Sequence, residues 1–445
     1  MKITEPSKLK LILIILLAGF AIRASVPIIS SLVMKSSDQF LADDSYSYII
    51  SAESLVEGNG FSYQGRPYTH RTPGYPVVLV PGIAAGHVRA VTISIQIVLS
   101  LLTILLVYNI ALDVFGNRNA AIFGAGIYAA EPLSVVYCSF ILTETVFTFL
   151  VALSIYLLIR HIKTGGIMNA AFCGLTIAAA AFVRPIAYFL PFIAAALIIA
   201  TAKSHGVGIK RSLSAALIFF IAALAPLLIW QARNSALTGY SGFSSIKEVN
   251  LLFYHAADII ARTGGGDFYD TQQEMREKYA DENLAALIGK QDFTQGEKYA
   301  FFSDTAKNII KKNPVTFIKS YLKGIPVMII SPGTARATEL FSKAGTAGGM
   351  IAALFLTAIL GSIYILSLIG LIKRRAPAGI SAVLIITALY FAALSGGVTA
   401  NSRFRHPVMP IVCIYAGAGL YTISGGHKNK KRTLGQNAPA GGDSN

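Results

Sequence analysis

Long apolar stretches separated by short polar clusters make up most of the chain. Runs such as 11–17, 99–107 and 351–360 contain no charged residue. A bilayer core of about 30 Å needs about 20 apolar residues per helix. Reading each apolar stretch as a helix predicts about ten spans. They fall near 9–33, 90–113, 119–136, 140–160, 167–183, 185–202, 212–232, 347–372, 378–396 and 406–425. Two further runs do not fit a span. Segment 75–85 is short and contains Pro76 and Pro81, and 317–331 is interrupted by Lys319, Lys323, Gly324 and Pro326. Both are expected to lie in the interface or re-enter the membrane.

Between the spans the pattern turns amphipathic in two places. In the first, Tyr48, Ala52, Leu55 and Val56 share one helical face, and Gly58 and Gly60 follow as stop signals. In the second, a polar helix is expected over 271–290. Another starts at Thr294, with Glu297 completing a capping box. Pro314 interrupts that helix. The expected organisation is a start and first helix over 1–33, a first external loop over 34–89 and helices over 90–232. A large external loop over 233–346, last helices over 347–425 and a disordered tail over 426–445 complete it. The large loop is too short and polar for a typical separate enzyme domain, so it is expected to cover the membrane part.

Composition sharpens this picture. Of the 445 residues 54% are hydrophobic and only 13% charged, which excludes an ordinary soluble enzyme. The net charge of +16 raises the question of nucleic acid. Its distribution answers no: Lys and Arg gather in short clusters between apolar runs, at Lys8/Lys10, Arg160/Lys163, Lys203/Lys210/Arg211, Lys373/Arg374/Arg375 and beyond Lys428. With these inside, the spans alternate without conflict and the long loops face outward. The basic start and first apolar run are longer than a cleaved leader and read as an uncleaved helix. Arg23, past the middle of that helix, is expected to reach outward along it. The three cysteines show no metal or disulfide spacing, and no N-x-S/T sequon occurs, which favours a bacterial or archaeal-type envelope.

Ionisable residues at a membrane edge are candidate functional groups, because burying charge is costly. Asp43, Asp44, Arg71, Glu131, Glu144, Arg184, Arg233, Arg403, Arg405 and His406 all fall on the expected outer side. Carboxylates can take a proton from an incoming hydroxyl, and guanidinium groups can hold a departing phosphate. Asp44 could equally cap the helix that follows it, and Arg71, Arg184 and Arg233 could reach for lipid headgroups. Glu131, before Pro132, reads as a turn residue. His255 and His406 lack paired-ligand spacing, so no metal site is expected, although a divalent metal stays open as a cofactor. Gly264, Gly265 and Gly266 lack the lysine of a phosphate loop and read as a turn.

These residues carry a family resemblance. The segment Asp44-Ser45-Tyr46-Ser47-Tyr48 with Ala52, Leu55, Gly58, Gly60 and Phe61 resembles the first external loop of GT-C glycosyltransferases. The likeness is to glycosyltransferase family 39, which is similar to protein O-mannosyltransferases and to the lipid A aminoarabinose transferase. Arg71-Thr72-Pro73-Gly74-Tyr75, Leu142-Thr143-Glu144, Arg184-Pro185, Arg233-Asn234 and Arg403-Phe404-Arg405-His406 continue it in order.

The resemblance implies an all-α polytopic GT-C bundle in the cell inner (plasma) membrane, with its active site extracytoplasmic. It implies a sugar moved from a polyprenyl-phosphate donor to an envelope acceptor, be it protein, lipid or polysaccharide, with inversion. Asp44 would then be the base, with Asp43 as the alternative, because the acidic neighbour here precedes Asp44. Arg403 and Arg405, with Arg71, would hold the phosphate. Tyr48, Glu144, Arg184, Arg233 and His406 would complete the substrate site. The rivals are a multi-pass transporter or lipid-linked sugar flippase, marked by midplane charge and inverted repeats, and a scaffold subunit without activity.

Overall fold

The computed structural model describes residues 8–34, 40–202, 208–333, 345–374 and 376–425. Lys2, Lys203, Arg375 and the tail 426–445 lie outside the described residues, as do 35–39 and 334–344 of the two expected external loops.

The apolar stretches become helices. The first half holds α1 (Lys8–Met34), α2 (Asp43–Val56), α3 (Gly74–Ala84), α4 (Val88–Phe115), α5 (Arg118–Ala129), α6 (Pro132–Tyr137), α7 (Glu144–Thr164), α8 (Ile167–Val183), α9 (Leu190–Ala202) and α10 (Ile209–Thr238). A polar helical section follows, with α11 (Ile246–Asn250), α12 (Ala257–Gly264), α13 (Phe268–Lys278), α14 (Asp281–Ile288) and α15 (Gln295–Lys312). Then come α16 (Pro314–Ile330), α17 (Gly345–Lys373), α18 (Ala378–Leu394), a 3₁₀ turn at Ser402–Val408 and α19 (Met409–Ile423). The sole sheet among the described residues is a two-stranded hairpin pairing Ser62–Tyr63 with Arg66–Pro67.

The protein is a multi-pass membrane protein. Large apolar side chains stand exposed around the bundle, such as Leu17 at 68%, Ile229 at 71% and Ile351 at 68%. Water would not tolerate such a belt, and lipid does. Among the described residues six helices are long and apolar enough to cross: Lys10–Val33, Val88–Phe115, Glu144–Thr164, Ile209–Thr238, Met350–Lys373 and Ser402–Ile423. Of the other expected spans, Ile167–Val183, Pro185–Thr201 and Ala378–Leu394 are apolar but shorter. The run near 75–85, expected to lie in the interface, is the short helix α3. Small residues let helices touch backbone to backbone, as where Gly417 of α19 lies against Ala120 and Gly124 of α5.

The expected span 119–136 is broken. Pro132 supplies no N–H, so α5 ends and α6 starts anew, with Glu131 as its cap. The Glu131 carboxylate accepts from the Leu133 and Ser134 amides at 3.2 and 2.6 Å. It is a buried cap rather than a plain turn residue.

Arg23 corrects another expectation: it does not reach outward but is fully buried. Its guanidinium donates to the Ser100 and Ser134 hydroxyls at 2.7 and 3.1 Å and to the Ala129 and Tyr128 carbonyls at 2.7 and 3.4 Å. The break at Pro132 orphans the Ala129 carbonyl, and a many-donor side chain satisfies it; the Tyr128 carbonyl also accepts from the Glu131 amide and the Ser134 hydroxyl, both at 3.3 Å. Replacing Arg23 with Met keeps the bulk and removes the donors. We expect a lower unfolding temperature in detergent, about 1–3 kcal/mol for the Ala129 carbonyl left unsatisfied. A melting curve unchanged from wild type would contradict this role.

The polar section differs in detail. The helix expected over 271–290 is two, α13 and α14, and the capping box at Thr294 and Glu297 is present. Leu252, Phe253, Met275, Leu284 and Phe302 give this section a small core of its own. It is tied to the first loop where Thr69 bonds Gln295 at 2.7 Å and Ser244 bonds the His70 carbonyl at 2.7 Å. Gly265 ends α12 in the left-handed region, which accounts for the middle glycine of the triplet.

Candidate active site

Two carboxylates and three guanidinium groups meet where five segments converge. Helix α2 brings Asp44, and the loop before α3 brings Arg71. Glu144 opens α7, Arg184 follows α8, and Arg403 lies in the 3₁₀ turn before α19.

The local folding of each segment has a reason. Asp44 is not a helix cap. Ala42 holds that place, and Asp43 and Asp44 form the first turn, where negative charge suits the helix N-terminus. Ser45 anchors this turn, its hydroxyl accepting from the Ala42 amide at 2.9 Å and donating to the Ile141 carbonyl at 2.7 Å. Helix α2 buries Ser45, Tyr48 and Ala52, while Val56 is exposed, so the buried face is rotated from the expected one.

The approach to α3 is fixed by Gly74. A Cβ there would lie 2.5 Å from the Phe182 carbonyl carbon, so only glycine lets the loop seat against the end of α8. Tyr75 then packs edge-on against Tyr48 at 5.1 Å and donates to Gln96 at 3.0 Å. Gln96 in turn holds the Cys138 and Phe140 carbonyls at 2.9 and 2.8 Å, which fixes the strap leading to Glu144.

The charged groups form a continuous chain. Arg71 pairs with Asp44 at 2.5 Å, donates to the Ser47 hydroxyl at 3.2 Å, and lies over the Tyr48 ring at 5.0 Å. The other oxygen of Asp44 accepts from Arg403 at 2.7 Å. Arg403 also pairs with Glu144, and Glu144 pairs with Arg184 at 2.8 Å. Arg184 is flanked by the Phe147 and Phe404 rings. Three positive groups face two negative ones, so the cluster holds one positive charge in excess.

Burial is graded along the chain. Glu144 is fully enclosed, whereas the Asp44 side chain is 29% exposed, the most open of the five. Burial pushes the Asp44 carboxyl up, but the charges and hydrogen bonds of Arg71 and Arg403 outweigh it and hold it well below the usual carboxylate range. Next to Arg71, burial together with that positive charge pushes His70 down to about 3, so its ring is neutral.

Other expected site residues lie elsewhere. Asp43 is exposed and outside the charge chain. Arg405 is buried and donates to the Met328, Ile329 and Ser331 carbonyls, closing the end of α16. It is not beside Arg403 as a phosphate ligand: on a 3₁₀ turn residues two apart point in different directions. Arg233 donates to the Tyr68 and Phe61 carbonyls at 3.1 and 2.7 Å and covers Trp230, so it ties the first loop to α10. His406 is buried, bonded to Thr148 at 2.6 Å and packed on Tyr137. His255 packs against Phe317 and Tyr321.

Among the described residues no three His, Cys, Asp or Glu side chains gather as a metal site. Both carboxylates of the cluster are each held by two guanidinium groups. These residues therefore do not offer a divalent cation a ligand set.

Sequence reasoning missed Gln96, misjudged the direction of Arg23 and gave Ser45 no role of its own. Their partners are backbone carbonyls and hydroxyls, which leave no sequence signature. A polar residue inside an apolar run, as at Arg23 and Gln96, is the one available signal.

A family model described as dolichyl-phosphate-mannose-protein mannosyltransferase matches residues 79–230. No curated protein matches the chain. Solved structures do. The archaeal oligosaccharyltransferase AglB from Archaeoglobus fulgidus, in complex with an inhibitory peptide and a dolichol-phosphate, aligns with a TM-score of 0.54 at 17% identity. That alignment covers 98% of this chain and 52% of that one. The apo form of the Archaeoglobus fulgidus oligosaccharyltransferase aligns with a TM-score of 0.54 at 16% identity, covering 99% and 53%. ArnT from Cupriavidus metallidurans bound to undecaprenyl phosphate is a looser match, with a TM-score of 0.40 at 12% identity over 95% and 80%. The chain spans about half the length of the oligosaccharyltransferases it resembles.

Proposed function

We propose that this chain, whose fold is that of the GT-C superfamily, is a glycosyltransferase taking its sugar from a polyprenyl-phosphate donor. The observation that carries the reading is the charge chain from Arg71 through Asp44, Arg403 and Glu144 to Arg184, with its one positive charge in excess. A partly exposed cluster of that sign favours an anion, and guanidinium groups suit phosphate oxygens. The dolichol-phosphate held by the archaeal oligosaccharyltransferase is a ligand of this kind. The active site faces away from the cytosol, in the plasma membrane, and the acceptor is an envelope hydroxyl.

In the resting site Asp44 is a weak base because two arginines neutralise it. A donor phosphate competes for those same guanidinium groups. As Arg403 and Arg71 turn to the phosphate, Asp44 loses stabilisation of its charged form, and its proton affinity rises. Asp44 then removes the proton of the acceptor hydroxyl as that oxygen attacks the anomeric carbon. The bond from that carbon to the phosphate oxygen breaks, and polyprenyl phosphate leaves as the anion, with inversion. Glu144, enclosed behind Arg403, positions that arginine and takes no proton from substrate.

The test is transfer in proteoliposomes from a radiolabelled polyprenyl-phosphate sugar, scoring polyprenyl phosphate released against sugar transferred. Equal release and transfer supports the reading. Intact donor appearing across the bilayer without cleavage supports a transporter instead. The same assay gives a pH signature. For the free enzyme, kcat/KM should hold to a lower pH than a carboxylate of pKa about 4 permits, because Asp44 stays ionised. The acid limb of kcat, which reports the donor-bound state, should lie higher. Coincident acid limbs would contradict the displacement of arginine by phosphate.

A further inference from the structure

An apolar cavity of about 860 Å³ opens between α1 and α4, and no residue of the charge chain lines it. Phe20 and Ala24 of α1 and Ile93 and Ile97 of α4 line it, together with Phe40. Arg89 lies in its lining near the start of α4, partly exposed and with no ion pair to any described residue. The lining on α4 runs from Arg89 to Val98. At about 1.5 Å per residue that is about 14 Å, close to half of a bilayer core of about 30 Å.

The end of the bundle that Arg89 occupies follows from contacts already described. Tyr75 packs on Tyr48 and bonds Gln96, which sets the level of the charge chain about two turns into α4. Arg23 bonds Ser100 while Gly19, one turn earlier, lies against Ile104, so α1 runs antiparallel to α4 and Leu32 reaches the level of Arg89. Arg89 is therefore at the same end of the bundle as Asp44, beyond it along α4.

We infer that this groove binds one chain of a phosphate-bearing anionic lipid from the leaflet on that side, with Arg89 on its headgroup. A groove one leaflet deep, apolar along its walls and carrying an unpaired cation near its mouth, matches a single lipid chain below an anionic head. A zwitterionic lipid gains less there, and a free phosphate leaves the apolar walls unfilled. The inference concerns occupancy and stands whether or not the chain transfers sugar.

The experiment uses the full chain in bilayer nanodiscs containing phosphatidylglycerol or phosphatidylcholine, each with a diazirine near the end of one acyl chain. Adducts are mapped by peptide mass analysis after illumination. Phosphatidylglycerol adducts should concentrate on 20–32 and 89–98. Arg89→Gln should reduce them about fivefold there, leaving adducts elsewhere unchanged, while Arg89→Lys keeps them. Ala24→Phe should block the groove to both lipids. Equal labelling by phosphatidylcholine, adducts spread evenly around the bundle, or no effect of Arg89→Gln would each overturn the inference. Arg89 is at the surface, so its variants keep the test informative even if Ala24→Phe fails to fold.

Discussion

Asp44→Asn should lower sugar transfer by about a hundredfold to ten-thousandfold, with Asp43→Asn close to wild type. The two neighbours differ in surroundings. Asp44 is held by Arg71 and Arg403, and Asp43 is exposed outside the cluster. The substitution also raises the excess positive charge of the cluster. Donor phosphate should bind at least as well, so the loss should appear in kcat while KM holds or falls. That split separates loss of a base from collapse of the site, which raises KM or removes the folded protein. Full activity of Asp44→Asn with Asp43 intact would end the assignment of the base.

The second large effect concerns stability. Glu144 is fully buried between Arg184 and Arg403. Among the described residues, Glu144→Gln removes the only carboxylate paired with Arg184 and one of two paired with Arg403. Breaking a buried pair from one side costs about 3–5 kcal/mol, because the remaining charge stays desolvated. Removing Arg184 as well restores the original charge balance. The double variant Glu144→Gln with Arg184→Gln should therefore recover part of the loss, with a coupling of about 1–3 kcal/mol. Thermal unfolding in detergent across the four-member cycle measures it. Strictly additive losses would show that Glu144 and Arg184 act independently.

Much of the architecture was legible because lipid imposes one rule, a long apolar helix, on every crossing. Where the rule is relaxed, pattern reading fails. The stretch 119–136 is apolar enough for one span, yet Pro132 divides it, and a buried arginine on another helix makes the division tolerable. In the site, the meeting of Asp44, Arg71, Glu144, Arg184 and Arg403 follows from placing all five at one end of the alternating spans. Arg405, Arg233 and His406 share that end, but direction decides what each touches. Arg405 turns to carbonyls of α16 and Arg233 to carbonyls of the first loop. Backbone acceptors are the same at every position of a sequence, so it cannot show which of them an arginine will find.

The pairing of Asp44 with Arg403 joins residues 359 positions apart. Chains are made from the N-terminus, at about 5–20 residues per second, so the acid waits tens of seconds or more for its second cation. Glu144 enters the membrane edge with Arg184 soon after, but it too lacks Arg403 until the turn before α19 is made. A nascent chain therefore carries an unfinished pocket of two acids and two arginines, without its excess positive charge, until the turn before α19 is made. A protein stopped short of α19 should be an inviting target for membrane quality-control proteases even with its earlier spans in place.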